Sequence, residues 1–254
     1  MCLALVALDA HPRFPLVIAA NRDEFHARAA APAHWWEDGM LGGVDLAAGG
    51  TWFGVHARGR WALVTNFREG VPRDPNAPSR GGLVTRALAQ AAPPLVCAAA
   101  IAADGARYHG FNLLVGDVAN GVYASNRASG ALALGQGIHG LSNHLLDTPW
   151  PKLTRSKARF AACLAASDDG VEPLFELLAD RTQAEATALP VTGIAPEWER
   201  LLSSAFIVDS RYGTRCSTVL TIALDGSTRF VERSFDPHGR LTGEAAFEFS
   251  VHSR

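Results

Sequence analysis

The stretch CLALVALDAHPRFPLVIAANRDEF, residues 2–25, holds two apolar runs, LALVAL at 3–8 and LVIAA at 16–20, joined by the proline-punctuated segment HPRFP. Short apolar runs flanking such a connection read as a strand pair. With a hairpin loop and Leu8 opposite Leu16, Cys2 falls opposite Arg22, and NRDE at 21–24 ends beside the start of the chain. Four polar residues directly after LVIAA sit awkwardly in a core strand, because alternation turns part of the set inward. Two readings stay open: a buried charge cluster beside Cys2, or a solvated strand end with a surface ion pair.

Outward from this hairpin lies a glycine-dense stretch, residues 41–67, whose second half reads as two strands around ARGR at 57–60. Helical spacing of Leu83, Val84, Ala87 and Leu88 predicts a helix over 79–90, and a second is expected over 95–103. FNLLVGD, GVYASN and a short run before GLSN then read as strands. Two more helices are expected, over 152–166 and 171–180, the first of them preceded by Pro149 and Pro151. SSAFIVD, STVLTIAL and RFVERSF read as further strands, the last two joined by Asp225-Gly226, a hairpin signal. Strands, two helices, strands, two helices and strands again give an α+β chain of antiparallel sheets covered by helices, not a doubly wound parallel sheet. The expectation is a single domain over 1–254.

Composition bounds the function. The 254 residues include 23 Lys and Arg against 25 Asp and Glu, a formal net charge of −2, which argues against nucleic acid as a partner. Hydrophobic residues make up 48%, ample for a folded core. No apolar run reaches the roughly 20 residues of a membrane span. The start has no basic region ahead of its apolar run, so a cytoplasmic location is expected. Cys2, Cys97, Cys163 and Cys216 are widely separated and form no C-x-x-C, so single-thiol chemistry is expected, with no metal and no cofactor.

Cys2 is the leading candidate nucleophile. Removal of Met1, expected when a small residue follows, leaves a thiol beside its own α-amine, whose reference pKa of about 7.7–8.0 suits a general base at neutral pH. A buried acid such as Asp23 would hold that amine, and Arg22 would favour the thiolate. Asn66 in VTNF and Asn143 in GLSN each follow a strand-like run, where an amide can donate to an oxyanion; turn formation is the plainer explanation for either alone. Arg215 in YGTRCST can bind a carboxylate or serve as a surface cation. Asn21, Glu24 and Trp52 are candidate substrate contacts. Residues 135–140 match G-x-G-x-x-G, but Pro149 and Pro151 leave too little room for the helix a nucleotide site requires.

The ordered motifs MC, NRDEF at 21–25, GG-x-D at 42–45, GGTWFG at 49–54, TNFR at 65–68, SRGGLV at 79–84, GFNLLVGD at 110–117, GLSN at 140–143, PWPK at 149–152, LP-x-TG at 189–193 and YGTRCST at 212–218 together resemble the NRDE family, whose eukaryotic members are the transport and Golgi organisation protein 2 group. Members usually carry serine where Cys216 stands. The family is similar in turn to N-terminal nucleophile hydrolases of the choloylglycine hydrolase type. That similarity implies a four-layer αββα sandwich and a cysteine amidohydrolase acting on a non-peptide C–N bond. Cys2, Asn66, Asn143 and Arg215 take the family's catalytic positions, and Arg22 and Asp23 correspond more loosely, since the acid here directly follows the arginine. The resemblance also implies a competing class, a haem, lipid or acyl-CoA carrier on the same scaffold.

Overall fold

The computed structural model describes residues 2–71, 74–166 and 170–251, Cys2 through its backbone only. The first hairpin is β1 (Cys2–Leu8) and β2 (Leu16–Phe25). Its register is the expected one, with Leu8 opposite Leu16 and Cys2 opposite Arg22. There follow β3 (Ala30–Trp35), β4 (Met40–Asp45), β5 (Phe53–His56), β6 (Trp61–Asn66), α1 (Gly81–Ala89) and α2 (Pro94–Ala103). Next come β7 (Phe111–Gly116), β8 (Gly121–Ser125), β9 (Ala131–Ala133) and β10 (Gly137–Leu141), then α3 (Pro151–Ala165), α4 (Glu172–Leu178) and α5 (Pro196–Leu201). The chain closes with β11 (Tyr212–Ile222), β12 (Ser227–Phe235) and β13 (Leu241–Ser250).

The strands form two antiparallel sheets, one ordered β10-β1-β2-β11-β12-β13 and the other β3 through β9 in sequence order. Period-two alternation sorts β1 and β2 between two cores. Ala4, Val6, Leu8, Leu16, Ile18 and Ala20 pack between the sheets against Leu41, Phe53, Val55, Trp61 and Leu63. Leu3, Leu5, Ala7, Val17 and Ala19 face the other way, onto Leu153 and Phe160 of α3 and Leu174, Phe175 and Leu178 of α4. On the far side, Leu83, Val84, Ala87 and Leu88 of α1 join Cys97 and Ile101 of α2 over Ala62, Val64, Leu113 and Val115. The result is the αββα order that the family resemblance implies. Among the described residues, no helix is long and apolar enough to cross a membrane.

The strands β3, β4 and β13, the helix α5 and the division of the run before GLSN into β9 and β10 escape the sequence reading, and one expected strand is absent. The strands β3 and β13 each form one outer edge of their sheet, where one side of the ladder has no partner and hydrophobic patterning weakens. Pro32 is tolerated in β3 because it lies at the irregularity between Ala31 and His34 on that edge. The short helix α5 is too brief for periodicity to mark it. SSAFIVD, residues 203–209, is irregular: side chains replace the ladder, with Asn21 Nδ2 donating to Ala205 O at 2.8 Å and Ile207 N–H donating to Thr214 Oγ1 at 2.9 Å. At the β11–β12 turn Gly226 has φ +84°, the left-handed conformation that the Asp-Gly pair predicts.

Candidate active site

β2 does not end where its apolar residues end. It runs on through residues 21–24, flanked by β1 as far as Arg22 and by β11 along the whole run, so the polar residues remain part of the sheet. Asn21, Arg22 and Asp23 are 2%, 5% and 1% exposed, which decides between the two sequence readings in favour of a buried cluster. Arg22 lies opposite Cys2 on β1 and Cys216 on β11. The side chain of Cys2, and Met1 whose removal was expected, lie outside the described residues.

Arg22 continues the inter-sheet face of β2. Its guanidinium stacks 4.3 Å from the centroid of the Trp52 ring, and Nη2 is 3.8 Å from Asp45 Oδ2. Asp45 is also bridged by Arg28 Nε at 2.7 Å. Gly43 is required here, since a Cβ at that position would come within 2.3 Å of the Trp52 ring. Arg22 Nη1 is buried with no hydrogen-bond partner among the described residues, so a donor remains available at this point.

Asp23 accepts a hydrogen bond on Oδ1 from Thr214 Oγ1 at 2.7 Å, while its backbone carbonyl accepts one from Tyr212 Oη at 2.9 Å. Burial pushes its carboxyl above the usual range; the positive charge of Lys152 and the Thr214 bond oppose that rise. Lys152, at the start of α3, is itself only 1% exposed. Sequence reasoning noted it only as part of PWPK, because a lysine opening a helix after two prolines looks like a solvated residue.

Asn66 and Asn143 are brought together. Asn143 is fully buried and has φ +55°, a left-handed conformation that asparagine tolerates better than most residues. Its Nδ2 donates to Asn66 O at 3.1 Å, which engages one of its two N–H groups. The Asn143 carbonyl accepts from Arg68 N–H at 2.6 Å. The Arg68 guanidinium stacks over Trp150 at 4.7 Å and forms a buried ion pair with Glu199. Thr192 holds that acid through its hydroxyl and through its backbone N–H at 3.1 Å. The TNFR, GLSN and LP-x-TG motifs thus meet around one buried ion pair.

Arg22, Asp23, Glu24, Trp52 and Asn66 line one cleft of about 420 Å³, with Arg80 at the start of α1 on its rim. Asn21 does not reach it. Its side chain turns to the helix layer, donating to Leu178 O and Ala205 O at 2.9 and 2.8 Å and accepting from Ser217 at 2.6 Å. Arg215, at the bulge in β11, donates to Phe25 O and Arg28 O at 3.1 Å and so ties down the turn after β2. It lines a second cleft of about 230 Å³ together with Cys216 and Glu232, and Arg22 and Trp52 border both clefts. Glu232, unmarked by the sequence, is 2% exposed, accepts from Ala33 N–H at 2.8 Å and Thr218 Oγ1 at 3.2 Å, and is pushed upward in pKa by burial. Among the described residues, no group of His, Cys, Asp and Glu side chains is arranged to hold a metal ion.

A family model described as Transport and Golgi organisation 2 matches residues 1–237. The chain belongs to the transport and Golgi organisation 2 family. The human Transport and Golgi organization protein 2 homolog is 33% identical over the whole of both chains. The Bos taurus homolog is 35% identical over 92% of this chain and 93% of its own. The Drosophila melanogaster family member is 28% identical over 94% of this chain and 95% of its own. Two solved variants of the conjugated bile acid hydrolase from Clostridium perfringens match at a TM-score of 0.48, with 8% and 9% identity, over 98% and 100% of this chain and 92% and 99% of theirs.

Proposed function

We propose that this family member is an N-terminal cysteine amidohydrolase that cleaves a non-peptide C–N bond in a small N-acyl compound. The observation that carries the reading is the register of β1 and β2: the second residue of the chain lies opposite buried Arg22, one position from buried Asp23. Loss of Met1 leaves Cys2 with a free α-amine. The amine takes the thiol proton, and Sγ attacks the acyl carbonyl carbon. Collapse of the tetrahedral adduct breaks the C–N bond, the proton passes to the departing nitrogen, and a thioester remains. Water, deprotonated by the same amine, then releases the carboxylic acid and restores the thiol.

Asp23 orients the amine in this scheme. Arg22 favours the thiolate, with its buried Nη1 as an uncommitted donor, and Asn143 with Asn66 stabilises the oxyanion. Glu24 and Trp52 contact substrate in the cleft. Asn21 and Arg215 hold β2 and its following turn in place. The test is intact mass after incubation with a panel of N-acyl amides and an acyl-transfer probe. Wild type lacking Met1 gains one acyl group on Cys2, and Cys2→Ala gains none. If wild type never forms the adduct while Cys2→Ala retains haem or acyl-CoA binding, the carrier reading replaces this one.

A further inference from the structure

Lys152 is an expensive residue where it stands. A lysine in the first turn of a helix opposes the helix dipole, and an ammonium withdrawn from water is destabilising unless an opposite charge accompanies it. It is nevertheless 1% exposed, on an α3 that packs against β1 and β10. Asp23 presents the same problem with the opposite sign at 1% exposure. Asp23 shares with Asn21 the face of β2 that meets the helix layer, and Leu153, next to Lys152, packs in that same layer with Leu3 and Leu5 of β1, so the two opposite charges lie on one side of the sheet and act on each other through space. Arg68 also acts on Asp23 through space, but its charge is committed to Glu199.

We infer that Lys152 is a positioning residue that offsets the charge of Asp23, so that Asp23 orients the α-amine of Cys2 without locking it as an ammonium. The inference rests on the amidohydrolase reading and supplies what that scheme otherwise lacks. A lone buried carboxylate stabilises a neighbouring ammonium and raises its pKa, which removes the base from the reaction; a second cation shared with that carboxylate reverses the effect. Among the described residues, the other charged and polar groups around Asp23 include Glu24 on β2, Thr214 and Tyr212 on β11, and Arg68 after β6. Arg22, on the opposite face of β2, carries a cation into the same register.

The experiment measures the pH profile of Cys2 carbamidomethylation, resolved by peptide mass, in protein lacking Met1. In Lys152→Met the apparent pKa of the thiol–amine pair rises by about one unit, so labelling at pH 7 slows about tenfold. Lys152→Arg keeps the cation and the wild-type profile. A folded Lys152→Met whose profile superimposes on wild type overturns the inference and leaves the amidohydrolase reading standing. A wild-type Cys2 that does not label at any pH overturns both. A thermal-melting cycle of Lys152→Met, Asp23→Asn and the double variant tests the pairing apart from Cys2: the double variant melts no lower than the worse single, whereas additive losses contradict a paired charge.

Discussion

The two halves of β2 share a pleat and neighbouring strands but bury opposite chemistry. Residues 16–20 put alternate apolar side chains into two cores, Ile18 between the sheets and Val17 and Ala19 under the helices. Residues 21–24 continue that alternation with Asn21 and Asp23 on the helix face and Arg22 on the sheet face, and the first three remain buried. The apolar half supplies transfer free energy; the polar half requires compensation at every step, from Thr214, Trp52, Asp45 and Lys152. A charge cluster held this way is preorganised, because the surrounding sheet fixes its geometry before any ligand arrives.

The largest effect expected from separating the halves lies at the polar end. Arg68→Met leaves Glu199 buried without its cation and should cost about 3–5 kcal/mol in urea unfolding. Ile18→Ala, in the apolar half, should cost about 2–5 kcal/mol through cavity formation. Its Cys2 labelling rate should nevertheless match wild type under conditions where both are folded. Equal slowing of labelling in both variants would show that the halves are not functionally separate. Trp52→Leu removes the stack on Arg22, worth about 0.5–2 kcal/mol, and is expected to slow Cys2 labelling more than it lowers stability.

The smallest effect expected lies at the far end of β10, where Asp147 accepts from His139, Lys157 and the Gly140 N–H. Burial alone would raise its carboxyl, but these donors outweigh it and hold the pKa at about 2 against an ordinary 3.8. A depressed carboxyl contributes stability above its unfolded pKa and loses it as pH falls through the folded one. The melting-temperature gap between wild type and Asp147→Asn should therefore be widest near pH 5 and close between about pH 4 and 2. The pair is partly exposed, so the gap corresponds to at most about 1 kcal/mol. A gap unchanged down to pH 2 would remove Asp147 from the charges that stabilise the fold.

What the sequence reveals follows the reach of its signals. The β1–β2 register is local, and opposing Leu8 with Leu16 is enough to bring Cys2 to Arg22. The helices with strong 3.6-residue patterning lie within a few residues of their expected bounds. The edge strands β3 and β13 were missed because edges lack two-sided patterning. Lys152, Glu199 and Glu232 were missed for a different reason: burial of a charged residue is decided by partners far along the chain. Glu199 meets Arg68 across 131 positions, and no local spacing announces that contact. Asn66 and Asn143, unremarkable singly as turn formers, acquire meaning only when the fold joins them 77 positions apart.

The central claim is that the buried cluster on β2 activates Cys2, and competitive alkylation tests it most directly. Wild-type protein lacking Met1 is treated with limiting iodoacetamide at pH 7, and modification of all four cysteines is followed by peptide-resolved mass spectrometry. Burial raises the thiol pKa of Cys97 and Cys163, which places both at a disadvantage. Cys2 should be modified first, and Arg22→Met, which removes the cation opposite it, should abolish its lead. Cys2 reacting more slowly than Cys163 in the folded protein would contradict it.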